Sequence, residues 1–232
     1  MKTLVIAPHP DDELLGCGGT LLRYKAEGTI LGWLLVTSMT EQSGWGLDRI
    51  EERASEIKQV REALGIKSNH LYELGFSADQ LDQVPTNTLV TNFSEVFSDF
   101  QPEEILLPHP GDVHSDHRIT FDTASACSKW FRYPTITRVM TYETPSETDA
   151  GLDISRSFQP NVFIDISTYL EQKLQLLKVY KSEFGTHPFP RSEVALRSLA
   201  QLRGSQSGYQ AAESFTLLRE RQGSTNRTRE KP

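Results

Sequence analysis

The 232-residue sequence is poor in cysteine: Cys17 and Cys127 lie in separate apolar segments and form no CxxC pair. They read as small buried residues of a reducing compartment rather than as a disulfide framework. Positive charge is also scarce. Lys and Arg number 24 against 31 Asp and Glu, a formal net charge of −7, which argues against a general nucleic-acid role because duplex binding rests on a basic surface. Long apolar runs are missing too. Only Leu4–Ala7 precedes His9, too short for a signal-peptide core or a membrane span, so the protein is expected to be cytoplasmic. Gly16, Gly18 and Gly19 complete no G-x-G-x-x-G pattern, which leaves close packing of a helix as their better explanation. No internal repeat is visible.

What is present is an alternation of apolar runs and amphipathic stretches, the pattern of a parallel sheet covered by helices. Strands are expected at Thr3–Ala7, Ile30–Thr37, His70–Leu74, Glu104–Leu107, Val139–Tyr142 and Val162–Ile166. Helices are expected at Leu14–Glu27, Arg49–Leu64, Asn87–Phe100, His117–Phe131, Leu170–Tyr180 and Glu193–Leu202. The fold class that follows is α/β, a Rossmann-like, mostly parallel sheet flanked by helices. It forms one domain over residues 1–222, with a polar, flexible tail at 223–232.

Two segments concentrate chemistry: Pro8-His9-Pro10-Asp11-Asp12-Glu13 and His114-Ser115-Asp116-His117. Each directly follows a strand run, and His109 lies in the loop leading to the second. In open α/β sheets, sites form outside the carboxyl ends of the strands, so two such loops can face each other across a crevice. Histidine and aspartate supply the nitrogen and oxygen donors that Zn²⁺ accepts, and a catalytic zinc takes three protein ligands and keeps a position for water. Either segment alone is equally a capped helix N-terminus with a surface histidine; both together, at matching positions, favour a metal site.

The pair of segments resembles the signature of the LmbE-like, or PIG-L, family of zinc-dependent de-N-acetylases. The first motif stands here as Ala7-Pro8-His9-Pro10-Asp11-Asp12-Glu13, with one residue inserted after the alanine. The second stands as His114-Ser115-Asp116-His117. Gly18-Gly19-Thr20 and the helix containing Arg53 and Glu56 continue the likeness. The resemblance implies that His9, Asp12 and His117 bind Zn²⁺, that Asp11 is the general base, and that a protonated His114 stabilises the oxyanion. It also implies that Asp116 orients a neighbouring histidine and that Arg53 lies near the active site.

Those residue types suit amide hydrolysis. A bound zinc lowers the pKa of its water towards about 7 and polarises the carbonyl, and a carboxylate that is not a ligand can take the water's proton. The resemblance supplies the substrate class, an N-acetylated amino sugar or glycoconjugate that yields acetate and free amine; a sugar nucleotide is one form of it. Arg53, His109 and Arg191 are candidates for binding that substrate. Arg191, Arg197 and Arg203 are equally readable as phosphate contacts or as solvent-facing charges. Fe²⁺ fits the same ligands, which leaves a non-haem Fe(II) oxygenase as an alternative, although the alternating α/β order speaks against it. A non-catalytic sugar- or metal-binding protein is the other alternative, and such a protein would not need Asp11 or His114. A homo-oligomer is expected because the C-terminal helices carry apolar stripes without an evident internal partner.

Overall fold

In the computed structural model, which describes residues 1–223, the chain runs β1 (Lys2–Ala7), α1 (Asp12–Ala26), β2 (Ile30–Ser38), α2 (Leu47–Ala63), β3 (Leu71–Ser77) and α3 (Thr86–Phe100). It continues as β4 (Glu104–Pro108), α4 (Ser115–Cys127), β5 (Arg138–Tyr142), β6 (Val162–Asp165), α5 (Leu170–Leu177), α6 (Glu193–Ser205) and β7 (Ala212–Glu220). The strands form one sheet in the order β3-β2-β1-β4-β5-β7-β6. β1 to β5 pair parallel, whereas β7 lies antiparallel between β5 and β6. This is the mostly parallel α/β fold expected. The proposed tail falls outside the described residues, apart from Gly223.

Strand periodicity builds the two sides of the core. Successive side chains of a strand point to opposite faces. Val5 and Ala7 of β1 therefore join one apolar cluster with α1, α2, α5 and α6. Leu4 and Ile6 join the other, with α3 and α4. The same division separates Leu106 from Ile105 and Leu107 on β4. Because both faces of the sheet are covered, these strands read as continuous apolar runs.

Helix α1 is bent rather than straight. Cys17 has φ −144° and ψ 19°, outside the helical region. The break is satisfied by a buried ion pair from two other elements. Glu213 of β7 accepts hydrogen bonds from the backbone N–H groups of Gly19 at 2.8 Å and Thr20 at 2.7 Å. Lys173 of α5 donates to the Leu15 carbonyl at 2.9 Å and pairs with Glu213 at 2.6 Å. The acid thus meets the free N–H groups of the second helical segment and the base a free carbonyl of the first, as the dipoles of helix ends require. Close packing accounts for the glycines here: a Cβ on Gly16 would lie 2.2 Å from the Tyr142 ring, and one on Gly19 would lie 2.8 Å from Ile166.

Three expectations are corrected. Helix α4 ends at Cys127 rather than Phe131, with Ser128 bonded back to the Ser125 carbonyl and Trp130 and Phe131 exposed. Helix α5 ends at Leu177 rather than Tyr180, and Tyr180 is nonetheless fully buried. The apolar stripes of α5 and α6 do have an internal partner: Leu170, Leu174, Leu177, Leu196 and Ala200 all belong to the chain's own core, while Val194 and Leu202 of α6 are exposed. β7 is an additional strand, and its outer half is only partly buried.

Candidate active site

β1 lies between β2 and β4, and the connections from β1 and β4 leave the sheet at adjacent carboxyl ends. The crevice between them is where an open α/β sheet places its ligands. The loop after β1 carries His9 and Asp11, and Asp12 opens α1. The Pro8 carbonyl is fixed by the Thr37 N–H at 3.0 Å and the Thr37 hydroxyl at 2.8 Å, which tie this loop to the end of β2. The His9 N–H donates to Asp12 Oδ2 at 2.8 Å. The loop after β4 leads to α4, whose N-terminus is capped by the His114 side chain: its Nδ1 accepts from the Asp116 N–H at 3.1 Å. His117 follows in the first turn of α4.

His9, Asp12 and His117 converge, each offering a ligand atom within 4.8 Å of the others. His9 Nδ1 lies 3.3 Å from Asp12 Oδ2, and His117 Nε2 lies 3.4 Å from the same oxygen. His117 Nε2 is buried and has no hydrogen-bond partner among the described residues. Its other ring nitrogen, Nδ1, is held by Asp112 Oδ2 at 2.8 Å, and Asp112 Oδ1 accepts from the Thr148 hydroxyl at 2.6 Å. On the far side of His9, Nε2 meets Asp116 Oδ2 at 3.1 Å. Each histidine therefore turns one nitrogen to a carboxylate and the other to the point of convergence, the arrangement that fixes tautomer and direction in metal-binding histidines. An orphaned buried nitrogen beside a histidine and a carboxylate fits a divalent cation. His9, His114 and Asp116 also cluster, but the nitrogens of His114 are already engaged by Asp116 and by Asp79.

The charges follow from this crowding. Burial opposes a charge on His9, yet Asp116 and Asp12 outweigh it and hold the imidazole up at about 9. His117 is raised to about 10 in the same way, against burial, by Asp12 and Asp112. Burial works against ionised Asp12 as well, but His117 and His9 hold its carboxyl well below the usual range. Asp11 is pushed up to about 7 by burial and by the charge of Asp12, with Arg191 pulling the other way. Burial and the neighbouring His9 and His117 push His114 down. Its Nδ1 accepts a backbone hydrogen bond, so the ring carries its proton on Nε2, which lies 2.9 Å from Asp79 Oδ1.

Asp116 does more than meet His9. It accepts the backbone N–H groups of Asp79 at 2.8 Å and Leu81 at 3.3 Å, which brings the loop after β3 to the site. His109 is turned aside: its Nε2 donates to the Arg156 carbonyl at 2.7 Å, and its ring packs on Phe158. Arg53 is buried and donates to the Pro10 carbonyl at 3.0 Å and to Glu183 at 2.6 Å. Arg191 reaches Asp11 Oδ2 at 2.7 Å. Arg197 pairs with Glu171 and Glu193 on the surface, and Arg203 with Glu143 at 2.6 Å.

Sequence reasoning gave no role to Asp112, Thr148, Asp79, Glu13 or Tyr180. Glu13 stood inside the first motif without a catalytic role, and Asp112 lies in the loop immediately before the second.

Fold and site together define an α/β protein whose crevice is lined by a histidine–carboxylate donor set. The sequence profile of the GlcNAc-PI de-N-acetylase family, PIG-L, matches residues 4–128. The chain belongs to that family. It is 29% identical over 232 residues to the diacetylchitobiose deacetylase of Thermococcus kodakarensis, covering 94% of this chain and 83% of that protein. Among solved structures, the conserved protein TT1542 of Thermus thermophilus is 27% identical, with TM-score 0.76, covering 97% of this chain and 99% of that one. N,N'-diacetylchitobiose deacetylase of Pyrococcus horikoshii shares the fold at TM-score 0.76 and 23% identity, covering 94% of this chain and 84% of that one. Neither the fold nor these relatives support an oxygenase. No helix among the described residues is long and apolar enough to cross a membrane.

Proposed function

We propose that this protein is a metal-dependent deacetylase that hydrolyses the N-acetyl group of an amino sugar or small glycoconjugate, releasing acetate and a free amine. The observation that carries the reading is the convergence of His9, Asp12 and His117 next to a buried carboxylate, Asp11, that is not part of the donor set. In this reading His9 Nδ1, Asp12 and His117 Nε2 hold a divalent ion. Zinc suits two nitrogens and an oxygen, and ferrous iron accepts the same donors. The bound ion supplies two things, an acidified water and a polarised acetyl carbonyl.

The chain's own residues do the rest. Asp11, a buried carboxylate next to the donor set but outside it, takes a proton from the attacking water and returns it to the departing amine. On substrate binding, His114 would give the Nε2 donor that now meets the exposed Asp79 carboxylate to the oxygen on which negative charge develops. Asp116 and Asp112 orient His9 and His117 through the nitrogens turned away from the ion. The loops after β3 and β4 close the sides of the crevice, with Asp79 at its approach. The working unit takes in residues 1–222.

The substrate class is supported by family membership and by the relative from Thermococcus kodakarensis, whose name is that of a deacetylase of an N-acetylated disaccharide. A panel of N-acetylated mono- and disaccharides, their conjugates, sugar nucleotides and non-sugar acetamides, assayed for released acetate, tests this reading. Turnover of at least one saccharide is expected; release of acetate only from non-sugar amides would overturn the substrate class.

A further inference from the structure

Asp11 has φ 131° and ψ −28°, in the positive-φ region that a residue with a side chain rarely occupies. Such a conformation persists only where its surroundings impose it. Here three side chains from separate parts of the chain impose it. The Asp11 N–H donates to Glu13 Oε2 at 3.0 Å, and the other Glu13 oxygen accepts from the Tyr180 hydroxyl at 2.9 Å. The carbonyl of the preceding residue, Pro10, accepts from Arg53 at 3.0 Å, and the Arg53 guanidinium lies 5.1 Å from the centre of the Tyr180 ring. The carboxylate itself is met by Arg191 at 2.7 Å.

We propose that Glu13, Arg53 and Arg191 form a clamp on the Pro10–Asp11 peptide and the Asp11 carboxylate, holding Asp11 in its unusual backbone conformation and fixing where its oxygen points. They are positioning residues, and Tyr180 braces the clamp from behind. This rests on the reading of Asp11 as the proton acceptor, and it gives two arginines a role other than substrate binding. Both are already spent on the protein. Arg53 is buried with its donors on Pro10 and Glu183. Arg191 also donates to Ser146 at 3.0 Å and faces Glu147 at 3.3 Å and Glu183 at 3.4 Å. A guanidinium surrounded by three carboxylates is a poor receptor for a phosphate, because the incoming anion would meet that negative charge.

The clamp is reached from its exposed end. In the metal-loaded protein, Arg191→Ala is expected to lower kcat by roughly 10²-fold, the scale of a misplaced reacting group, with KM within about twofold and bound metal unchanged. Millimolar guanidinium should restore part of that kcat. Tyr180→Phe, which deletes one hydroxyl, should lower kcat by a smaller factor without moving KM. Because Arg191 acts through Asp11, adding Arg191→Ala to Asp11→Asn should produce no further loss. Unchanged kcat in both Arg191→Ala and Tyr180→Phe, beside an inactive Asp11→Asn, would overturn the clamp and leave the proton acceptor standing. A rise in KM alone for Arg191→Ala would overturn it in favour of substrate binding. Full activity of Asp11→Asn would instead remove the reading on which the clamp rests.

Discussion

Asp112 Oδ2 stands 2.8 Å from His117 Nδ1, across five residues of sequence and the junction between the β4 loop and α4. The contact leaves Nε2 as the only free nitrogen of a buried ring, so the carboxylate decides which way His117 faces. Outer partners of this kind typically contribute 10–100-fold to metal affinity. Asp112→Ala is therefore expected to weaken zinc binding by about that factor, measured by competition with a chromophoric chelator.

His114 is held through Nδ1 by the Asp116 N–H and carries a donor proton on Nε2. His114→Ala should lower kcat by about 10²–10³-fold, the usual cost of one oxyanion donor, and should leave metal content unchanged. Steady-state kinetics with metal analysis on the same sample checks both halves.

Lys173 and Glu213 are almost fully buried, and together they satisfy the break in α1. Removing one member of a buried pair strands the other, at about 3–5 kcal/mol. Lys173→Met should lose stability on that scale in urea unfolding. Replacing both with apolar residues should cost less than the single change, although the N–H groups of Gly19 and Thr20 would then lose their acceptor.

Glu104 at the start of β4 is buried, and burial raises its pKa above the ordinary value of 4.5 despite the Thr3 hydroxyl and Arg138 nearby. A carboxyl raised on folding binds its proton more tightly in the native state. Its contribution is complete below 4.5 and is lost as pH climbs through the raised value. Glu104→Gln, which cannot ionise, should show a shallower fall in stability than the wild type from pH 4.5 upward. Chemical denaturation at a series of pH values measures it.

The core strands and the histidine–aspartate set at their ends were legible for the same reason. β1 and β4 are buried on both faces, so they appear as unbroken apolar runs, and the loops after them carry histidine and aspartate in short recognisable strings. What could not be read is whatever is made by pairing across the chain. Tyr180 meets Glu13 over 167 residues, and Arg191 meets Asp11 over 180. No local pattern marks either pair. Arg53 and Arg191 were candidates for substrate binding or ordinary surface charges, but only the fold shows that their guanidinium groups are occupied by protein oxygens. β7 escaped notice because buried Glu213 and Ser214 interrupt its apolar pattern and its outer half is partly exposed. The helical stripes of α5 and α6 were visible, whereas their internal partner was not.

The central claim is that the His9–Asp12–His117 set holds the metal on which deacetylation depends. Acetate release from an accepted N-acetyl sugar should vanish when the protein is stripped of metal by a chelator and then desalted. It should return on addition of one equivalent of zinc or ferrous iron per chain, and Asp12→Ala should neither retain the ion nor recover. Undiminished acetate release from protein shown by elemental analysis to hold no metal would contradict the account.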